Sequence, residues 1–177
     1  MDLFSMRRLL FGIACLIVAV GSFLLTLWLA EDGNRSSGAM DARSASERLA
    51  SRRVANLAEL PRVAEEIGLK LSGGMAGIID KISRINEREV TITGWLADPQ
   101  GDATPQQLIV FVSGALAGKG QTNGERPDVT SLKGLAFGTE KNVLFAVNFG
   151  CPTGGQPVVV GLGSRNQYFP MTSPPCP

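Results

Sequence analysis

Residues 94–114 read GWLADPQGDATPQQLIVFVSG, and they decide between two very different interpretations of the chain. The segment contains one of the chain's two tryptophans, an Asp-Pro step, and the apolar run 108–112, which ends in Ser-Gly. It could be an active-site loop, or it could be two strands and their connection. Short runs of β-branched and aromatic residues bounded by Gly, Pro and Asp are typical of strands. We therefore predict that GWLADP ends one strand and that QQLIVFVSG forms the next.

Further short apolar runs continue this pattern from about residue 77 to the end of the chain. Turn residues separate them, and no long helical pattern intervenes. Such a series predicts a mainly β fold, an antiparallel sandwich over residues 76–177. The predicted strands are 78–85, 90–96, 108–112, 143–149, 157–162 and 168–169.

The run 90–96 also predicts which side chains face the core, because side chains alternate along a strand. Val90 and Ile92 should face one side of the sheet. Thr91 and Thr93 should face the other side. We expect Trp95 to pack at the edge of the core, where its large apolar surface is removed from water.

Three short stretches resemble a known type of module. A strand ending in Gly-Trp-x-x-Asp (94–98), a strand reading Ile-Val-Phe-Val-Ser-Gly (109–114), and the stretch Arg126-Pro127-Asp128-Val129 are together similar to immunoglobulin-like β-sandwich modules of bacterial cell-surface and envelope proteins. The similarity covers residues 76–165, and it departs from the modules' usual Gly-Phe strand start at 134–137. The resemblance implies an immunoglobulin-like fold and an envelope setting, and it implies no catalytic residue.

An uncharged run of 22 residues, 9–30, predicts a transmembrane anchor. As a helix it would measure roughly 33 Å, and the hydrocarbon core of a bilayer is about 30 Å thick. Arg7 and Arg8 precede it, and Arg35, Arg43 and Arg48 follow it within about 20 residues, so the positive charges alone are nearly balanced. Residues 1–8 are expected in the cytoplasm because the two distal cysteines favour export of the rest of the chain. The alternative is a cleaved signal peptide, although the best cleavage site would place Trp28 three residues before the cut.

Residues 31–43 read as a flexible linker, and residues 44–75 as a helical segment next to the membrane or on the domain. Ser44 and Glu47 have the spacing of a capping box. Pro61 should interrupt or restart the helix, and Gly73-Gly74 should end it. A coiled-coil stalk is the alternative, for which the apolar pattern is short.

The cysteines indicate a compartment. Cys15 lies inside the apolar run, which leaves Cys151 and Cys176 as a pair in the remaining part of the chain. If 143–149 and 157–163 form a hairpin, the chain can return far enough to join the two sulfur atoms. Such a disulfide requires an oxidising compartment, and two unrelated free thiols are the alternative. We therefore expect a single-pass protein of the bacterial inner membrane with its C-terminal domain in the periplasm.

The sequence offers few groups for catalysis or cofactor binding. It has no histidine, which excludes a Ser-His-Asp triad and the usual zinc sites. The stretch 114–120 lacks the spacing and the Ser or Thr of a phosphate-binding loop, so we interpret it as a hairpin connection. The carboxylate pairs Asp98/Asp102 and Glu125/Asp128 are interpreted as turn and cap residues, and calcium binding or glycoside hydrolysis are the alternatives. We expect no cofactor, no bound metal and no enzymatic activity.

Two classes of function remain. A net charge of +1 does not favour nucleic-acid binding. We expect a non-enzymatic interaction or scaffold module, an accessory subunit that binds a protein partner in the envelope or membrane. The alternative is a carbohydrate-binding module. The candidate ligand or partner surface consists of Trp95, Asp98, Arg126, Asp128 and Tyr168.

Overall fold

Two β-sheets and two helices make up the part of the chain that the structure describes. The computed structural model describes residues 43–98, 105–126 and 142–177. In chain order the elements are helix α1 (43–50), helix α2 (Leu60–Glu66) and strands β1 (Lys70–Leu71), β2 (Ala76–Arg84), β3 (Glu89–Ala97), β4 (Gln107–Val112), β5 (Ala115–Gln121), β6 (Leu144–Gly150), β7 (Pro157–Leu162) and β8 (Gln167–Met171).

The strands form two sheets that pack face to face. The large sheet has five strands in the order β1-β8-β7-β4-β5, and the small sheet has three in the order β2-β3-β6. Only β1 and β8 pair in parallel among these strands. Inward side chains of β3, β6, β4 and β7 share one hydrophobic core. The predicted mainly β fold with two packed sheets is confirmed. The predicted end of a strand at GWLADP is also confirmed, because β3 ends at Ala97.

The two central strands of the large sheet, β4 and β7, are buried on both of their faces. Leu108 and Val110 of β4 lie in the core shared with the small sheet, whereas Ile109 and Phe111 lie in a second core shared with the helices. No residue of β7 is exposed. This explains why the two central strands are continuous apolar runs, since alternation with polar residues is expected only where one face meets water.

The helical segment belongs to the sandwich. Leu49 of α1 and Leu60 of α2 are fully buried and share a core with Phe111 and Tyr168. The segment was expected either next to the membrane or on the domain, and the structure shows it packed on the domain. Its core includes residues on both sides of position 76, where we predicted the sandwich to begin. Pro61 lies in the first turn of α2, where a backbone N–H would have no acceptor within the helix, so proline is tolerated there.

Two details of the helical prediction were wrong. Arg43 and Ser44 are both helical, so Ser44 does not cap the helix, and Glu47 pairs with Arg43 at 3.9 Å. Helix α2 ends at Glu66, before the predicted stop at Gly73-Gly74. The cause is Gly68, whose φ of 75° turns the chain out of the helix and into β1.

The predicted hairpin between 143–149 and 157–163 was also wrong. Strand β6 pairs with β3 in the small sheet, and β7 pairs with β4 and β8 in the large sheet. The burial patterns explain the difference: β6 alternates between buried and exposed residues, whereas β7 is buried throughout. Strand β6, which faces water on one side, lies in the small sheet, and β7, which is buried on both sides, lies in the large sheet.

The glycine-rich stretch 114–120 is mostly a strand, which corrects its interpretation as a hairpin connection. The turn is limited to Ser113 and Gly114, and β5 follows immediately. A Cβ atom at Gly118 would lie 2.9 Å from the Cβ atom of Phe149 on β6. Glycine is therefore used here because the edges of the two sheets come close together.

The predicted anchor, 9–30, lies outside the described residues, as do residues 1–8 and most of the linker. Within 43–98, 105–126 and 142–177, no helix has the length and apolar character needed to cross a membrane.

Candidate interaction surface

The small sheet has one face in the core and one face directed outward. As predicted, Val90 and Ile92 are fully buried in the core, while Thr91 and Thr93 face the opposite side and are half-buried. The strand pairing places neighbours on both sides of each threonine. We call this surface the outer face; it consists of Lys81, Ser83, Thr91, Thr93, Ala146 and Asn148, together with Ile78, Trp95 and Leu144 at one end.

One end of the outer face carries larger apolar side chains. Ile78 and Leu144 flank Trp95 in the pairing of the three strands. Trp95 is only 6% exposed and packs with Ala97 and Val143, whereas Ile78 is 55% exposed. The predicted burial of Trp95 is confirmed, but Trp95 packs in a small cluster separate from the core between the sheets. Ile78 is the large apolar side chain that this end presents to solvent.

An ion pair joins the segment after β5 to the edge strand β2. This segment leaves the large sheet and pairs with β6, where the Asn123 N–H donates to the Leu144 carbonyl at 2.8 Å. The Arg126 guanidinium then donates to the Asp80 carboxylate at 2.5 Å. Asp80 lies at the irregularity between Ile79 and Lys81, where one residue of β2 has no partner on β3. The bulge therefore places Asp80 where Arg126 can reach it.

Asp98 has a structural role at the end of β3. It is 1% exposed, and its carboxylate accepts hydrogen bonds from the N–H and the hydroxyl of Ser164, both at 2.8 Å. Ser164 begins the turn between β7 and β8, in which Arg165 and Asn166 both have φ of 56°. Asp98 thus ties the small sheet to a tight turn of the large sheet.

Tyr168 lies on a different side of the molecule. It is 4% exposed and belongs to the core between the large sheet and the helices. Burial raises the pKa of its phenol, because the ionised form would lose its hydration. Trp95, Asp98, Arg126 and Tyr168 therefore do not form one exposed surface. Asp128, the remaining predicted residue, lies outside the described residues.

The two cysteines come together as predicted. The sulfur atoms of Cys151 and Cys176 are 2.06 Å apart, and the two residues are 25 positions apart in the sequence. Two backbone hydrogen bonds accompany the bond: Gly154 N–H donates to the Cys176 carbonyl at 2.9 Å, and Cys176 N–H donates to the Gly155 carbonyl at 2.8 Å. The disulfide thus holds the segment after β8 against the connection between the two sheets.

Sequence reasoning missed Ile78 as the exposed apolar residue and Asp80 as the partner of Arg126. The available signal was the odd charge pattern Asp80-Lys81 inside an apolar run, which is typical of an edge strand with a bulge. Within the described ranges, the structure brings no group of three or more His, Cys, Asp or Glu side chains together in the manner of a metal site.

Comparison with known proteins found no match: no family model, no curated protein and no solved structure matches this chain.

Proposed function

We propose that this protein is a membrane-anchored, exported β-sandwich that acts as a non-enzymatic interaction or scaffold subunit of an envelope or membrane complex. The observation that carries the proposal is the unequal covering of the two sheets. The central strands of the large sheet, β4 and β7, are buried between the small sheet and the helices, whereas the small sheet presents its outer face and Ile78 to solvent. We propose that a protein partner binds there.

The composition of the outer face supports a protein as the partner. It combines small polar side chains, one lysine and the 55% exposed Ile78. Non-obligate protein interfaces combine apolar and polar surface in this way. The carbohydrate-binding alternative would need an exposed ring for stacking, and Trp95 and Tyr168 are both buried.

The order of strands supports the immunoglobulin-like form of the proposal. If β2 to β8 are labelled A, B, C, C′, E, F and G, the small sheet has the order A-B-E. Four strands of the large sheet then have the order G-F-C-C′. Immunoglobulin-like sandwiches divide their strands between two sheets in this way. Strand β1, which pairs in parallel with β8, is an addition to that pattern.

The location proposed is the bacterial inner membrane, with the sandwich in the periplasm. Two features support it: the uncharged run 9–30 after Arg7 and Arg8, and the pairing of Cys151 with Cys176. A membrane anchor would keep the sandwich in the envelope, where an envelope partner can meet it. A disulfide is maintained in the periplasm and is rare in the cytoplasm.

The test is site-specific photo-crosslinking of the full chain in its own membrane. A photoreactive amino acid at position 78 should crosslink to one discrete partner protein, because Ile78 is exposed on the outer face. The variant Ile78→Asp should reduce co-purification of that partner at least about tenfold, since a buried unpaired charge opposes binding.

The matched control is position 71. Leu71 is 63% exposed and lies on the edge of the large sheet, so it offers a similar aliphatic side chain away from the outer face. A probe at 71 should not crosslink to the same protein, and Leu71→Asp should leave co-purification unchanged. Equal crosslinking from both positions, or from neither, would contradict the proposed surface.

A further inference from the structure

A surface pocket lies between the two helices, on the side of the molecule away from the small sheet. It has a volume of about 310 Å³ and is lined by Arg48, Ser51, Arg52, Glu66 and Ile67. This is near the lower end of the volumes of ligand pockets, so it suits a small polar group.

The backbone fixes both walls of the pocket. On one side, α1 ends at residue 50, and the Ser51 hydroxyl donates to the Arg48 carbonyl at 2.8 Å. On the other side, Ile67 caps α2 and the chain turns at Gly68. Both walls rest on the core beneath the helices. The arginine side chains are therefore carried by ordered backbone rather than by a long loop.

The charges of the lining leave the pocket positive. The Arg48 guanidinium donates to the neutral side-chain oxygen of Asn166 at 2.8 Å, which orients the group without cancelling its charge. Glu66 is already paired with Arg62 at 2.6 Å. Within the part of the chain that the structure describes, no hydrogen bond or ion pair forms to the Arg52 guanidinium. One oriented and one uncommitted guanidinium thus face the same small volume.

We propose that this pocket binds a phosphate group, held by Arg48 and Arg52. Guanidinium groups present two parallel N–H donors that match the oxygens of phosphate, and a pair of them can hold a single phosphate from two sides. Ile67, which is 8% exposed, supplies an apolar wall beside the charged groups. A phosphate ester with an organic portion fits this combination.

Two sources could supply such a group: a soluble phosphate ester and the headgroup of an anionic lipid. The lipid source rests on the proposed function, because the helices directly follow the predicted anchor and its linker in sequence. Basic groups close to an anionic bilayer are attracted to its headgroups. Phosphate binding itself requires only the pocket, so the two ideas can fail separately.

The test measures binding to the detergent-solubilised full chain by isothermal titration calorimetry at low and moderate salt. One arm titrates glycerol 3-phosphate in solution, and the other adds phosphatidylglycerol in mixed micelles, with phosphatidylcholine as the reference lipid. Saturable binding in either arm supports the pocket, and the arm that binds identifies the source. Arg52→Gln should weaken that binding at least about tenfold, because one charge-assisted pair is lost.

The control is Arg53→Gln, which removes the same charge one residue away. Arg53 is exposed and does not line the pocket, and no pairing of its side chain occurs among the described residues. A defined site should lose affinity with Arg52→Gln and keep it with Arg53→Gln. An equal loss in both variants would show general attraction of anions, and absence of binding in both arms would also overturn the proposal. Neither variant should change the melting temperature, which separates loss of the site from loss of the fold.

Discussion

The two sheets of this protein differ in what covers them. Strand β4 at the centre of the large sheet is apolar at consecutive positions, because the small sheet covers one face and the helices cover the other. Strand β3 at the centre of the small sheet alternates over most of its length. A strand that is covered on both faces leaves no surface on which a partner could bind. The small sheet is therefore the better candidate for binding, and the large sheet for stability.

The largest expected effect is on the covered side of the large sheet. Phe111 is fully buried against the helices, so Phe111→Ala should lower the free energy of unfolding by about 4 kcal/mol. Ile78→Ala on the outer face should lower it by less than about 0.5 kcal/mol, because Ile78 already meets solvent. Urea unfolding of the full chain, followed by circular dichroism, measures both. Similar losses for the two variants would contradict the distinction between the sheets.

The pattern of the small sheet could be predicted from the sequence, whereas the face of the sandwich that the predicted helical segment covers could not. Val90, Thr91, Ile92 and Thr93 alternate because one face meets water, and period-2 alternation is a local signal. The run 108–112 gives no such signal, since buried strands and short buried helices share the same pattern. What covers its second face depends on contacts between residues more than forty positions apart, as in Leu49 with the Phe111 core.

The second prediction concerns the bond between the end of the large sheet and the connection from the small sheet. Replacing both cysteines, Cys151→Ser with Cys176→Ser, should lower the free energy of unfolding by about 3 kcal/mol for a loop of 25 residues. Cys15→Ser is the control, because Cys15 lies in the predicted anchor. Thermal unfolding with and without reductant should show the loss only where the bond was present.

Peptide mapping without reduction decides whether the bond forms in the cell. Protein purified from membranes with thiols blocked at lysis should yield a peptide in which Cys151 is linked to Cys176. Free thiols at both positions would remove one of the two supports for a periplasmic domain. The predicted anchor at 9–30 would then stand alone.

The features that sequence reasoning missed are those set by the approach of distant segments. Gly118 looked like part of a turn, but its lack of a side chain permits β5 to lie against Phe149. Asp98 was grouped with Asp102 by sequence distance, and its hydrogen-bonded partner is Ser164, 66 residues away. The bond between Cys151 and Cys176 was predicted through a hairpin that does not exist. The disulfide was nevertheless predicted correctly, because the C-terminal segment lies beside the connection from β6 to β7, as it would if these strands formed a hairpin.

The smallest expected changes in the free energy of unfolding come from two threonine substitutions, one near each sheet. Thr122 follows β5 of the large sheet and is fully buried; its hydroxyl accepts a hydrogen bond from the Gln106 N–H at 2.9 Å. Thr122→Ala should lower the free energy of unfolding by about 2 kcal/mol, because the buried N–H loses its acceptor. Thr93→Ala on the outer face should cost less than about 1 kcal/mol, since only strand propensity and partial packing change.

A serine at each position separates the two causes. Thr122→Ser keeps the oxygen that accepts from Gln106, so it should recover most of the stability that Thr122→Ala loses. Thr93→Ser should behave like Thr93→Ala, because the Thr93 hydroxyl forms no hydrogen bond within the described ranges and the lost methyl group is the same. If Thr93→Ala instead destabilised the protein as much as Thr122→Ala, with rescue by serine, the outer face would contain a buried polar network. A face organised in that way would be part of the folded core, and the partner surface would have to be sought elsewhere.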